Sequence, residues 1–359
     1  MIKKVSLAIV FVVGLTWVAA TFIFNLWSKA PGVDGTTKVL RPAFSNAGVA
    51  QEQKDINAVN GVVTELKTVT IPFLATQLKV TPAAATTLLA SKFPAVGVAL
   101  GTTDTDGKPY ADGKTYLEHA AGYLTTVVTT IKAQQPGFKS AESIPTKDIP
   151  TIGLTWLFLV LGIVVLLVAA LVILKPGLGR VLAAVVVVVG IVVIAVTYVL
   201  DVPGKTQGVD NITNAFRPVY KSSGPLSINT GAKYLAGVRA ADVEIETKVV
   251  PALPGLLNVP LATVVTALQT NSPKVSAALL GQDPADRKIS VLAGILGRFD
   301  ALAAKVKQSS SDFKKTDGIP GLGWPTTIVQ FLLVGPAVLL ILAGLGLLLA
   351  GRARPRADT

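Results

Sequence analysis

The chain has 359 residues, of which 51% are hydrophobic and only 15% charged, where a soluble domain usually carries about 25% charged residues. With no cysteine and a single histidine, His119, disulfide frameworks, zinc clusters and thiol nucleophiles are excluded, and any histidine-based triad would have to use that one residue. The formal charge of +12 invites a polyanionic partner, but its distribution along the chain argues against one.

Four runs are long enough to cross a hydrocarbon core about 30 Å thick, which takes about 20 helical residues: 5–27, 153–174, 181–200 and 326–350. None of them contains Asp, Glu, Lys, Arg or His. Their short flanks carry Lys3 and Lys4, Lys175 and Arg180, and Arg352, Arg354 and Arg356, with Asp358 as the one acid. An even number of spans puts these flanks on one side, which the excess of basic residues marks as cytoplasmic. The expectation is a multi-pass protein of the cytoplasmic (plasma) membrane with both termini inside and two outer loops, 28–152 and 201–325. Once the seven flanking cations are set aside, 26 basic residues face 20 acids in those loops. No dense basic stripe with interleaved aromatics appears, so no nucleic-acid partner is expected.

An internal repeat organises the rest. Gly32-Val33-Asp34, Thr37, Arg41-Pro42 and Gly48 recur 176 residues later as Gly208-Val209-Asp210, Thr213, Arg217-Pro218 and Gly224. At a spacing of 179, Pro72, Leu74, Leu78 and Val80 match Pro251, Leu253, Leu257 and Val259. Lys132 and Phe138-Lys139 match Lys307 and Phe313-Lys314, and Ile149-Pro150 with Gly153 match Ile319-Pro320 with Gly323. The fold class expected is an all-α membrane protein made by tandem duplication. Repeat one (1–176) and repeat two (177–359, with a basic tail at 351–359) each contribute span, outer helical domain and span, as a parallel repeat about an axis along the membrane normal. Because residues 1–20 correspond to an internal span, the first span reads as an uncleaved anchor.

Within the outer loops, apolar positions 56, 59, 63, 66 and 73 follow helical spacing, interrupted at Thr70. Leu235, Val238, Ile245, Val249, Ala252 and Leu256 do the same, interrupted at Asp242. Thr81-Pro82 reads as a helix start, with Thr as cap and Pro in the first turn. Each domain is expected to run as one long helix, reverse near Val80 or Val259, and return through shorter helices ending in Thr115–Ala133 or Ile289–Lys307.

Few residues suggest chemistry. Asp104-Thr-Asp106-Gly resembles the opening of a calcium loop, but position twelve is Thr115 instead of a bidentate Glu, so a polar turn and no metal is expected. His119 and Glu118 are helix neighbours that do not face each other. Asp34, Arg41, Asp210 and Arg217 are candidate partner or headgroup contacts, the plainer alternative being an Asp–Arg pair that fixes the chain as it leaves the bilayer. Trp27, Trp156 and Trp324 are candidate interfacial anchors. Gly335, Ala343, Gly344 and Gly346 with Pro336 suit close helix packing in the last span. No catalytic set, cofactor site or nucleophile-elbow motif is read, and uncharged spans argue against a coupled transporter.

The leading functional expectation is a non-enzymatic scaffold or accessory subunit whose paired outer domains bind envelope or membrane proteins, with membrane lipids as its surroundings. The alternative is a lipid- or hydrophobe-binding protein with a cleft near Arg41 and Arg217. A weaker third is an envelope hydrolase using Ser and Lys.

Overall fold

A helix satisfies its own backbone hydrogen bonds, so uncharged runs and 3–4 apolar spacing both lead to it. The computed structural model describes residues 2–104, 106–144, 146, 149–320 and 323–352, and among these every regular element is a helix, without a strand. In chain order the helices are α1 (Ile2–Ile23), α2 (Leu26–Phe44), α3 (Asn46–Glu65), α4 (Ile71–Gln77), α5 (Pro82–Lys92), α6 (Pro94–Leu100), α7 (Tyr116–Glu142) and α8 (Ile152–Leu174). They continue as α9 (Gly179–Val199), α10 (Val202–Tyr220), α11 (Ile228–Glu244), α12 (Val250–Leu257), α13 (Leu261–Asn271), α14 (Pro273–Leu280), α15 (Val291–Gln308), α16 (Ser310–Asp317) and α17 (Ile328–Arg352). Two π-turns, Leu66–Thr70 and Ile245–Val249, join α3 to α4 and α11 to α12. Pro145, Arg354, Arg356 and Asp358 lie outside the described residues.

The chain divides into two units. The first comprises Met1–Leu40, Gln134–Arg217 and Ser309–Thr359. It holds the four helices long and apolar enough to cross a membrane: Ile2–Ile23, Ile152–Leu174, Gly179–Val199 and Ile328–Ala350. The first of these stops before the expected residue 27. Asn25 takes a left-handed φ of 50°, and Asp201 does the same after α9. Asn and Asp tolerate that conformation better than other side chains, and one such residue ends a helix.

Small residues set the approach of these helices. A Cβ on Gly14 would lie 3.1 Å from the carbonyl oxygen of Gly162, and one on Gly162 would lie 2.8 Å from that of Gly14, so α1 and α8 meet backbone to backbone. Gly190 meets the Ala337 carbonyl in the same way, which packs α9 on α17. Of the small residues expected to pack in the last span, Gly344 lies against Ala183 and Val187, Gly346 against Ser6, and Ala343 is buried, whereas Gly335 faces open space. α17 runs through Pro336 without a break. Trp17 is fully buried and its indole N–H donates to the Leu332 carbonyl at 2.8 Å, which satisfies the one polar atom of a large core side chain.

The second unit comprises Arg41–Ala133 and Pro218–Gln308. Its core mixes side chains from both stretches, with Ile56, Tyr116, Leu124 and Val128 packed among Leu235, Ile295, Leu296 and Phe299. A second cluster joins Leu74, Leu89 and Phe93 to Leu253, Val264 and Leu268. The reversals expected near Val80 and Val259 occur at Lys79 (φ 55°) and Asn258 (φ 54°). Thr81 caps α5 through the Ala84 N–H at 3.2 Å, with Pro82 in its first turn. The apolar pair Ile228–Leu257 and Leu261–Asn271 is bent by 104° between its two parts, and its Leu253, Val264 and Leu268 are spent on this core.

The two short helices α6 and α14 start with proline and have no side-chain cap of their own. Each is capped from the other stretch of the unit. The Glu244 carboxylate accepts from the N–H groups of Ala95 (2.7 Å) and Val96 (3.0 Å), and Glu65 accepts from the N–H of Val275 (2.7 Å). Negative charge at a helix start satisfies orphan donors and suits the helix dipole.

Candidate functional site

The Gly-Val-Asp triplets fall within the first unit, where each residue has a separate task. Gly32 lets its helix approach α16 so closely that a Cβ would lie 2.6 Å from the Asp312 carbonyl, and Gly208 does the same against Gly137. Val33 and Val209 are buried. Asp34 accepts from the backbone N–H of Thr151 (3.0 Å) and from its hydroxyl (2.7 Å), and Asp210 accepts from the N–H groups of Thr326 (2.6 Å) and Thr327 (3.0 Å). Both acids therefore cap the turns that lead into α8 and α17. The expected pairing of Asp210 with Arg217 is not formed, because the carboxylate is taken up by those backbone donors. Arg217 instead makes a two-pronged pair with Asp317, with Nη2–Oδ1 at 2.6 Å and Nε–Oδ2 at 3.1 Å. Arg41 is exposed in the last turn of α2.

Trp27 lies on α2 and stacks edge-on against Trp156, with ring centroids 4.9 Å apart. Trp324 lies 6.1 Å from Phe24. Trp156 and Trp324 keep about half of their surface exposed.

In the second unit, the Asp104 carboxylate accepts from the N–H groups of Asp106 (2.9 Å) and Lys108 (2.8 Å) in a turn closed by Gly107 at φ 80°. Both bonds fall on Oδ1, which shapes that turn. Glu118 and Thr115 form a reciprocal capping box at the start of α7. His119 instead lies 3.0 Å from Asp112 and stacks on Tyr110 at 3.8 Å, so neighbouring residues point to different partners. Among the described residues no group of three or more His, Asp or Glu side chains is placed to hold a metal.

What remains is a cavity of about 120 Å³ inside the second unit. Val59 and Val63 of α3, Leu117 and Ala120 of α7, Leu235 and Val238 of α11, and Leu292 and Leu296 of α15 form its wall. Both π-turns contribute, through Leu66 and Thr70 and through Ile245 and Val249. A π-turn admits one residue more than an α-turn, which lets the helix swell where the wall is lined. Neither Arg41 nor Arg217 belongs to the wall, so this cavity is not the cleft that the sequence places near them. In size it approaches the engineered void of about 150 Å³ that stays dry and takes up benzene.

Asp242 is the one acid in this wall among the described residues. It is 3% exposed, and its Oδ1 has no hydrogen-bond partner. Burial, reinforced by the nearby charge of Glu246 and opposed by Arg239, pushes its carboxyl up to about 7. Thr70, the other polar interruption, is satisfied, since its hydroxyl donates to Ser272 Oγ at 2.9 Å. Sequence reading marks Thr70 and Asp242 as breaks in an apolar stripe without assigning them a role. No protein-family model and no curated protein matches the chain.

Proposed function

We propose that this chain is a four-pass membrane protein whose second unit binds one small apolar ligand, a ring or a segment of an acyl or prenyl chain, without covalent chemistry. The observation that carries the reading is the cavity of the second unit, lined almost wholly by Val, Leu, Ile and Ala. At about 24 cal/mol per Å³, leaving 120 Å³ unfilled costs about 3 kcal/mol. A domain of marginal stability retains such a cost where something binds.

The chain is proposed to be a tandem duplication with the second unit on the extracytoplasmic side of the cytoplasmic membrane. Features at matching spacings support the duplication: left-handed Asn25 and Asp201, Lys79 and Asn258, the two π-turns, the caps by Asp34 and Asp210, and the crossed caps by Glu65 and Glu244. The basic flanks Lys3, Lys4, Lys175 and Arg180 support the sidedness.

Native mass spectrometry of the full chain, extracted from its own membrane in mild detergent, tests the binding reading. We expect one apolar molecule per chain, and its loss in an Ala121→Leu, Ala241→Leu variant that fills the cavity and keeps its helical circular dichroism. Equal ligand content in both proteins, or none in either, would overturn the reading. Polypeptides recovered at fixed stoichiometry with no small ligand would favour an accessory subunit.

A further inference from the structure

We infer that the ligand of this cavity is a single-tailed amphiphile with an anionic head, a carboxylate or a phosphate ester, held tail inward with its head at Arg287 and Lys288. The inference rests on the binding reading above and adds the chemical class. Among the described residues no polar atom is exposed to the cavity. A polar group inside would lose its water and find no partner, so only hydrocarbon occupies it. A space close to benzene's size takes the end of one tail and not two. The head of such a ligand lies outside, at a surface that shares side chains with the cavity wall.

Two surface pockets of the second unit meet the cavity at corresponding places. One shares Ile71 and Leu100 with it, and the other shares Val250 and Leu279, their counterparts at the spacing of 179 residues. These four side chains are half-buried and stand between the cavity and solvent. A third pocket shares only Leu235, and its cations are paired, Arg239 with Asp300 and Lys248 with Glu244.

The two corresponding mouths differ in charge. The first carries one cation, Lys67, which pairs with Glu118 at 2.7 Å. The second, of about 360 Å³, carries Arg287 and Lys288 against the single acid Glu246, which leaves it net positive. Both cations are exposed, and among the described residues neither side chain has a hydrogen bond or ion pair. The two acids of the loop that bears them are engaged, Asp283 by Arg298 and Asp286 by the Lys288 N–H. Leu280 and Ile289 line the same pocket and are exposed. A guanidinium and an ammonium beside apolar side chains match a carboxylate or phosphate joined to a hydrocarbon tail, and Val250 and Leu279 continue the apolar path inward.

The test uses the full chain in nanodiscs of zwitterionic lipid, with 10-fluorodecanoate and 10-fluorodecan-1-ol as probes of equal tail length, followed by fluorine NMR and corrected for uptake by protein-free nanodiscs. We expect the wild-type chain to bind the carboxylate at least about fivefold more tightly than the alcohol, the return of one charge-assisted contact near the surface. The double variant Arg287→Gln, Lys288→Gln should lose that preference and keep alcohol binding, while Lys67→Gln should keep the preference. Equal binding of both probes by wild type, or a preference that survives in the double variant or disappears in Lys67→Gln, would overturn the inference and leave the binding reading standing. Undiminished decanoate binding in the Ala121→Leu, Ala241→Leu variant would place the tail outside the cavity and overturn it too. Displacement of decanoate by inorganic phosphate alone would mark a free-anion site and overturn the amphiphile class. If neither probe binds the wild-type chain, the binding reading fails and this one with it.

Discussion

Asp242 and Glu244 sit two residues apart on α11 and are both buried, yet their acidities move in opposite directions. For Glu244, burial raises the pKa, but the Val96 N–H, Lys248 and the Ala95 N–H outweigh it and hold the carboxyl below its usual range. Asp242 has no such donors, and burial wins. Each contributes its own sign to the pH dependence of stability. Between the unfolded value of 3.8 and about 7, folded Asp242 holds a proton that the unfolded chain has lost, so its contribution falls as pH rises through that window and is level above it. Glu244 works the other way, stabilising above its unfolded value and losing that support on acidification. Comparing wild type with Asp242→Val cancels the Glu244 part. We expect the variant's advantage in melting midpoint to grow from pH 5 to pH 8, by an amount equivalent to about 1–3 kcal/mol. A pH-independent difference would mean that the acid is not held neutral by the fold.

The π-turns decide the matter at the scale of single elements. A continuous α-helix over 46–77 would carry its apolar stripe steadily around the axis, whereas the turn at Leu66–Thr70 absorbs one additional residue and brings Leu66, Thr70 and Leu74 to the cavity. Removing one exposed residue from the turn should therefore relax it to α-helix and leave the phase of α3 and α4 nearly intact. Removing one from within α3 rotates everything after it by about 100°, which turns buried Val59 and Leu74 away from the core. We expect deletion of Thr68 to yield a folded chain with a modestly lower melting midpoint, and deletion of Asn57 to prevent folding, both read by circular dichroism in detergent. If the two deletions behaved alike, the turn would not be an insertion accommodated by the helix.

For the whole molecule, the proposed topology is testable without background because the chain contains no cysteine. Gln77, Gly177 and Gly255 are exposed, so single substitutions Gln77→Cys, Gly177→Cys and Gly255→Cys give three probes. In intact cells, a membrane-impermeant maleimide should label positions 77 and 255 and spare 177 until the membrane is opened. Labelling of 77 but not 255 would refute the parallel arrangement of the two halves, and labelling of 177 alone would invert the orientation.

Hydropathy and helical spacing are local properties, and they determined the four apolar helices, the all-helical loops, the cap at Thr81 and the reversals at Lys79 and Asn258 to within one or two residues. The first apolar helix ends at Ile23, four residues before its apolar run does, because a single left-handed Asn25 ends a helix without changing the hydropathy around it. Partners remote in sequence were beyond this kind of reading: Asp34 meets Thr151 across 117 residues and Glu244 meets Val96 across 148, and nothing local distinguishes these acids from solvated ones. The tertiary structure alone decided that Asp34 and Asp210 are caps, that Arg217 answers to Asp317, and that Thr70 and Asp242 share a wall. The physical reason is that a cavity is a property of surfaces meeting. Each apolar stripe specifies that it will be buried, and only the packing of α3, α7, α11 and α15 together specifies where that burial is left incomplete.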